Sequence, residues 1–268
     1  MKKIVAMLTL TCGLLFGNSL SQIKKDGVLR VGVWEGQPPF SQLVDGTFSG
    51  FEIDFAREIA KRLFGNENGK VEFVGLEVVD REKFLINNKV DLVIATFTVT
   101  EARAKKVDFS LPYFSTNLGV LSKKGDNISK LSDLQHKKVL VEEGALGQGF
   151  FKSKGFETVS CPYSNECYNM LKKGDGDAYA NDNVIVLAYP VIDRTTEVNI
   201  KTLGQSDFFG IGVQKGNKEL LEFVNNTLVK LSKEGFFRKA FKETIDPFYK
   251  GTADQKYFLL EDIYRVFG

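Results

Sequence analysis

The stretch ATFTVTEARAKKVDFS (residues 95–110) sets Thr96, Thr98, Thr100 and Arg103 directly after the apolar run VDLVIA of residues 90–95. Thr100 suits a helix N-cap, because its hydroxyl can accept from a free N–H of the first turn. Arg103 then falls at the third helical position, where a capping box would carry Glu or Gln and where a cation opposes the helix dipole. Free backbone N–H groups, a guanidinium and the Thr98 hydroxyl together form a receptor for a carboxylate or phosphate. The competing reading of the same residues pairs Arg103 with Glu101, Asp108 or solvent.

Other candidates for chemistry are few. Glu142 and Glu143 follow the apolar run KKVLV, and either could act as a general acid only if burial raised its pKa. GALGQG (residues 144–149) lacks the G-x-G-x-x-G spacing of a dinucleotide loop. The chain has one histidine, His136, in the polar LQHKKV, which reads as a surface residue. Cys161 and Cys167, in CPYSNEC, are expected as a disulfide or two quiet thiols, and the ligand count is too small for a metal site. No nucleophile–base pair or P-loop stands out, and no cofactor is implied.

The elements that must position these residues alternate. VLRVGVW reads as a strand, and GFEIDFAREIAKRLFG as a helix with Phe51, Phe55, Ile59 and Leu63 on one face and Gly65 as its stop. KVEFVGL is a strand, DREKFLINNK a helix and VDLVIATF a strand, after which TEARAKKVDFS opens a helix. Beyond LPYF, LGVLSKKG reads as a strand, ISKLSDLQHK as a short helix and KKVLVEEGALGQGFFKS as strand, turn and helix. SNECYNMLKKG is a helix, GDAYAND a strand, NVIVLAYP a helix and FFGIGVQK a strand. KELLEFVNNTLVKLSKEG and FFRKAFKET are helices, and the tail from Asp246 is less regular. The pattern predicts two successive α/β blocks, whose strand ends are where open sheets collect ligands.

Composition excludes more than it identifies. The 268 residues are 43% hydrophobic and 26% charged, with a formal charge of +2, so nothing calls for a nucleic-acid partner. MKKIVAMLTLTCGLLFGNS has the layout of a secretory signal peptide, with two lysines, an apolar run and small residues near Ser19. Its removal takes away Lys2 and Lys3 and leaves a formal charge of 0. Cleavage before Cys12, as in a lipoprotein, is disfavoured because TLTC departs from the small-residue pattern and GLLF prolongs the apolar run.

DLVIATFTVTEARAKKVDFSLPYF resembles the signature of the periplasmic amino-acid-binding proteins of ABC importers, solute-binding protein family 3. VLRVGVWEGQPPF, GFEIDFAREIAKRL, GDAYANDN and FGIGVQKGNKEL match further, in order and across nearly all of the mature chain. GVWEGQPPF, REKFLINNKVDLVIATFT and FFRKAF look closest to the cysteine-binding branch. The resemblance implies a type II periplasmic binding protein fold, with lobe 1 at 22–113 plus 207–268, lobe 2 at 118–204 and a hinge at 115–117 and 205–208.

By the same resemblance, Arg103 clamps an amino acid's α-carboxylate and Thr98 adds its hydroxyl and N–H. The Thr96 carbonyl accepts from the α-ammonium, and Asp182 is its anionic partner, unless Asp182 only caps NVIVLAYP. Trp34, Phe40 and Phe97 match side-chain walls, with core packing as the alternative for each. Arg81 matches an arginine that meets the side-chain carboxylate in aspartate- and glutamate-binding relatives. Gly144-Ala145-Leu146 departs from the Gly-Thr-Thr of many relatives, so the backbone N–H groups at Ala145 and Leu146 would donate without hydroxyls. Glu142 is expected to pair with Arg81 on closure, leaving room for a small neutral polar side chain.

Cysteine is the leading ligand, with glutamine, aspartate and glutamate open. The implied partners are a membrane permease and its ATPase subunit, with the receptor a periplasmic monomer. Two rivals stand beside this reading. One is a cleft enzyme of dehydratase or lytic glycosidase type using Glu142 or Glu143, and the other is a surface interaction protein such as an adhesin.

Overall fold

The computed structural model describes residues 18–65, 69–255 and 264. Cys12 and nearly all of the expected leader lie outside the described residues, as does most of the tail beyond residue 255. The first element is the helix Leu20–Asp26, whose N-cap Ser19 accepts from the Gln22 N–H at 3.1 Å.

Strands β1 (Val28–Trp34), β2 (Gly36–Gln37), β3 (Ser41–Val44), β4 (Thr47–Ser49), β5 (Lys70–Leu76), β6 (Leu92–Val93) and β7 (Val107–Phe109) come first. They are followed by β8 (Phe114–Lys123), β9 (Val139–Glu142), β10 (Thr158–Cys161), β11 (Ala178–Asp182), β12 (Thr196–Phe209) and β13 (Gly212–Gln214). Two five-stranded sheets result, in the orders β5-β1-β6-β13-β7 and β10-β9-β11-β8-β12, with β2-β3-β4 as a small antiparallel sheet. The chain leaves the first sheet into β8 and returns through β12 to β13. These two strands pair antiparallel, with Ser115 opposite Phe208 and Thr116 opposite Asp207, so both crossings run side by side. The α/β architecture in two blocks is therefore the one expected.

Apolar periodicity explains the cover of the first sheet. Helix Phe51–Phe64 buries Phe51, Phe55, Ile59 and Leu63, four residues apart, and ends at Gly65. It starts after Gly50, at φ +126°, where a Cβ would lie 2.4 Å from the Phe40 carbonyl oxygen, so only glycine fits. Phe40, Phe51, Phe55, Tyr113, Phe114, Phe209 and Phe237 form a continuous aromatic core beside it. Two described residues of the C-terminal segment bond back to the body: Tyr249 donates to the Val184 carbonyl, and Tyr264 to the Pro112 carbonyl at 2.7 Å.

Several expected elements are shorter than their apolar runs. VDLVIATF keeps only Leu92–Val93 as strand, and three residues later Thr96, at φ +43°, has left the extended conformation. TEARAKKVDFS is helical only at Glu101–Ala104 before β7 pairs with β13. ISKLSDLQHK becomes a 3-10 turn at Leu131–Leu134, and NVIVLAYP divides into Asn183–Val186 and Tyr189–Ile192, the second with Pro190 in its first turn. The 14-residue β12 was not anticipated. It lies at a sheet edge with much of its length exposed, so its sequence is polar and reads as loop. Among the described residues no helix is long and apolar enough to cross a membrane.

Candidate functional site

Thr100 is the N-cap that its position suggested, with its hydroxyl accepting from the Arg103 N–H at 3.2 Å. Arg103 is 9% exposed. Its Nη1 donates to the Thr98 carbonyl at 2.6 Å and its Nη2 to the Gly144 carbonyl at 2.9 Å, a bond that joins the two sheets' halves of the chain. The guanidinium lies over the Phe97 ring at 5.2 Å, and Nε is 3.9 Å from Glu82. Asp108, the alternative partner, is instead taken by Lys215 and the Gly216 N–H, both at 2.7 Å. Burial lowers the Arg103 pKa, while Asp182, Glu82 and Asp207 support its charge.

Asp182 ends β11 in the N-cap position of Asn183–Val186, yet its side chain makes no capping bond. Its Oδ1 has no hydrogen-bond partner although the residue is buried. Burial pushes its carboxyl up to about 7, against the pull of Arg81 and Arg103. Glu142, at the end of β9, accepts from Asn181 Nδ2 at 2.8 Å through Oε2, while Oε1 is unpaired. Its carboxyl also rises to about 7 through burial, partly offset by Arg81.

Arg81 opens the helix Arg81–Ile86 and is 4% exposed. It donates from Nη1 to the Thr96 carbonyl at 3.3 Å and stacks over Trp34 at 5.0 Å and Phe97 at 5.5 Å. Its Nε has no hydrogen-bond partner. Burial, and then repulsion by Arg103, brings its pKa down to about 10, with Glu142, Asp182 and Glu52 opposing. Arg81 and Glu142 thus attract one another, while their hydrogen bonds in this structure go to Thr96 and Asn181.

The structure brings Arg81, Arg103, Glu142, Asp182, Thr96, Thr98, Trp34 and Phe97 into one cluster. Trp34 is held by its Nε1 donating to the Ala95 carbonyl at 2.7 Å. It lines a cavity of about 240 Å³ with Glu35 and Glu77 on one side and Tyr163, Ser164 and Asn165 on the other. Cys161 and Cys167 form a disulfide that brackets those last three residues. Ala145 and Leu146, both half-buried, stand at the start of helix Leu146–Ser153. That helix packs so closely on β11 that a Cβ at Gly147 would lie 2.9 Å from the Ala180 carbonyl oxygen. Phe40 sits apart in the aromatic core, edge-on to Phe114 at 5.2 Å, which is the core packing left open for it. Glu143 is exposed, which removes it as a buried acid. A separate cavity of about 460 Å³, lined by Lys124, Leu187, Val191, Arg194, Lys201 and Tyr249 among others, shares no residue with the cluster.

Sequence reasoning missed Asn181, Glu82, Asp207 and Glu52. Glu52 alone had a visible signal, an acid between the apolar residues Phe51 and Ile53 at the start of an apolar helix face.

A buried guanidinium with two buried acids opposite, each keeping one unpaired oxygen and each on one of two adjacent strand ends, suits a small molecule carrying both charges. Comparison with known proteins points the same way. The glutamine-binding protein of an ABC transporter in Bacillus subtilis is 32% identical over 203 residues, covering 75% of this chain and 74% of its own. The cysteine-binding protein of Campylobacter jejuni superposes with a TM-score of 0.85 at 36% identity, over 90% of this chain and 98% of that one. A solute receptor for L-cysteine from Neisseria gonorrhoeae gives 0.85 at 34% identity, over 90% and 99%. These are two-lobe type II periplasmic binding proteins, the fold expected here. Residues 29–246 match the family model, and the chain belongs to the bacterial extracellular solute-binding proteins, family 3.

Proposed function

We propose that the protein is the extracytoplasmic receptor of an ABC importer for a polar amino acid, with cysteine the leading ligand. One observation carries the reading: Asp182 Oδ1, Glu142 Oε1, Arg81 Nε and Thr96 Oγ1 are all buried without hydrogen-bond partners, gathered about the Arg81 guanidinium beside Arg103. A buried polar atom left unpaired costs about 1–3 kcal/mol, so four together are best explained by a ligand that pairs with them.

In this reading the ligand's carboxylate takes a guanidinium edge of Arg103, by displacing one of its carbonyl contacts, and its ammonium lies between Asp182 and the Thr96 carbonyl. Arg81 and Glu142 then face the side chain. A group that both donates and accepts, such as a thiol or an amide, satisfies the two, whereas a carboxylate would meet Glu142. This favours cysteine, with glutamine next, over aspartate and glutamate. Lobe 1 (22–113 and 207–268) and lobe 2 (118–204) would close about 115–117 and 205–208, since Arg103 and Asp182 belong to different lobes. The closed form would deliver its cargo to a membrane permease driven by an ATPase subunit, and no step requires catalysis.

The test is calorimetric titration of refolded, ligand-free protein with the twenty amino acids. Tight binding of one or a few is expected, weakened about 30-fold or more by Arg103→Ala and by Asp182→Ala, because each truncation leaves a buried charge unpaired. Absence of binding to all twenty would overturn the reading. Turnover of a cyclic substrate, abolished by Glu142→Gln, would replace it with the cleft-enzyme reading.

A further inference from the structure

Glu52 is a buried acid to which the contacts of the cluster give no role. Glu52 is the second residue of helix Phe51–Phe64 and is fully buried. Its Oε1 accepts two hydrogen bonds, from the Thr96 N–H at 2.7 Å and from the Tyr113 hydroxyl at 2.5 Å, while Oε2 has no partner. The start of a helix is a favourable place for an anion, because the free N–H groups there carry partial positive charge. That does not explain why an acid is kept in the middle of an aromatic core, flanked by Phe51 and Ile53.

Thr96 supplies the reason. Its φ of +43° lies in the left-handed region, which is strained for a β-branched residue and persists only where the surroundings impose it. In this conformation the Thr96 N–H faces inward to Glu52, while its carbonyl accepts from Arg81 Nη1 in the cluster. Glu52 is the side-chain acceptor that holds the inward half of this arrangement. Tyr113, next to β8, fixes the orientation of the carboxylate, and the Arg81 guanidinium on the opposite side of Thr96 supports its charge.

We propose that Glu52 is a positioning residue for ligand binding: through the Thr96 N–H it maintains the strained backbone that aims the Thr96 carbonyl at a bound ligand's α-ammonium. The inference rests on the amino-acid-binding reading. It assigns to a residue that never touches the ligand part of the discrimination between an amino acid and the same molecule without its amino group. Glutamine at this position keeps an oxygen that can accept both bonds, and alanine keeps none.

The experiment compares affinities for L-cysteine and 3-mercaptopropionate, which is cysteine without its amino group, in the wild type and in Glu52→Ala, Glu52→Gln and Tyr113→Phe. If the wild type selects another amino acid, that one and its des-amino analogue are used. Glu52→Ala is expected to weaken the amino acid about tenfold or more and the analogue by less than about threefold, as for loss of a hydrogen bond made only to the ammonium. Glu52→Gln should restore the wild-type ratio. Tyr113→Phe, which frees the carboxylate to turn, should lower the ratio in the same direction and serves if Glu52→Ala does not fold. A second change, Thr96→Gly, should recover part of the Glu52→Ala loss, because glycine adopts a positive φ without help. Equal weakening of both compounds, or an unchanged ratio in Glu52→Ala and Tyr113→Phe, overturns the proposal. A wild type that binds no amino acid overturns the functional reading instead.

Discussion

Three carboxyls, on Glu52, Glu142 and Asp182, are each raised to about 7 by burial, from ordinary values of 4.5, 4.5 and 3.8. Between those values the folded chain holds protons that the unfolded chain has released, so stability falls as pH rises through the window. The ligand-free protein is therefore expected to melt several degrees higher at pH 5 than at pH 8, since 1 kcal/mol moves Tm by about 2–4 °C at this size. Asp182→Asn and Glu142→Gln should each flatten that slope in a thermal scan. A flat wild-type profile would mean that these groups are not desolvated as they stand here. A bound ammonium has the opposite effect on Asp182, because it favours the carboxylate. Affinity should then rise with pH up to about 7, with proton release detectable as a buffer-dependent binding enthalpy.

Strand register does much of the work at the next scale. In β9, Glu142 lies opposite Cys161 of β10, and Val141 lies opposite Ala180 of β11, which sets Asn181 beside Glu142. The bond from Asn181 to Glu142 follows from that register. It continues from Asn181 to the Tyr179 hydroxyl at 2.6 Å and from Tyr179 to Ser164 at 3.0 Å, inside the loop closed by Cys161 and Cys167. The bridge thus restrains the segment that faces Trp34 across the cavity. For so short a loop, chain entropy alone gives about 2 kcal/mol. Replacing both cysteines with serine should lower the unfolding free energy by about that amount in a urea titration, and an unchanged midpoint would show that the loop is held by its hydrogen bonds alone. The strands that end at this site were legible from apolar runs bounded by polar residues. The edge strand β12 was not, because a half-solvated strand has little apolar content to reveal it.

Across the whole molecule, the halves of the chain built on the two sheets are tied at the cluster by the bond from Arg103 to the Gly144 carbonyl, with Asp182 supporting the Arg103 charge from the other half. A ligand that bridges the same groups adds its own binding energy to the closed, folded state. At a hundredfold excess over Kd that amounts to about 2.7 kcal/mol, or a rise in Tm of roughly 5–11 °C. Differential scanning calorimetry with the selected amino acid should show this shift in the wild type and lose it in Arg103→Ala. A shift that survives in the variant would place the ligand elsewhere, the 460 Å³ cavity among the alternatives.

What the sequence by itself determined was local: the Thr100 cap, the amphipathic helix from Phe51, the alternation of strands and helices, and the motif order that identifies the family. Such features are set within one or two turns of chain, by capping hydrogen bonds and by apolar periodicity. Only the tertiary structure decided that Phe40 belongs to the aromatic core, that Arg81 and Glu142 keep separate partners, and that Glu52 supports Thr96 from behind. Those outcomes depend on which distant segments exclude water from a side chain. Desolvation is a property of the packed whole, and it converts ordinary acids and arginines into groups that need a partner.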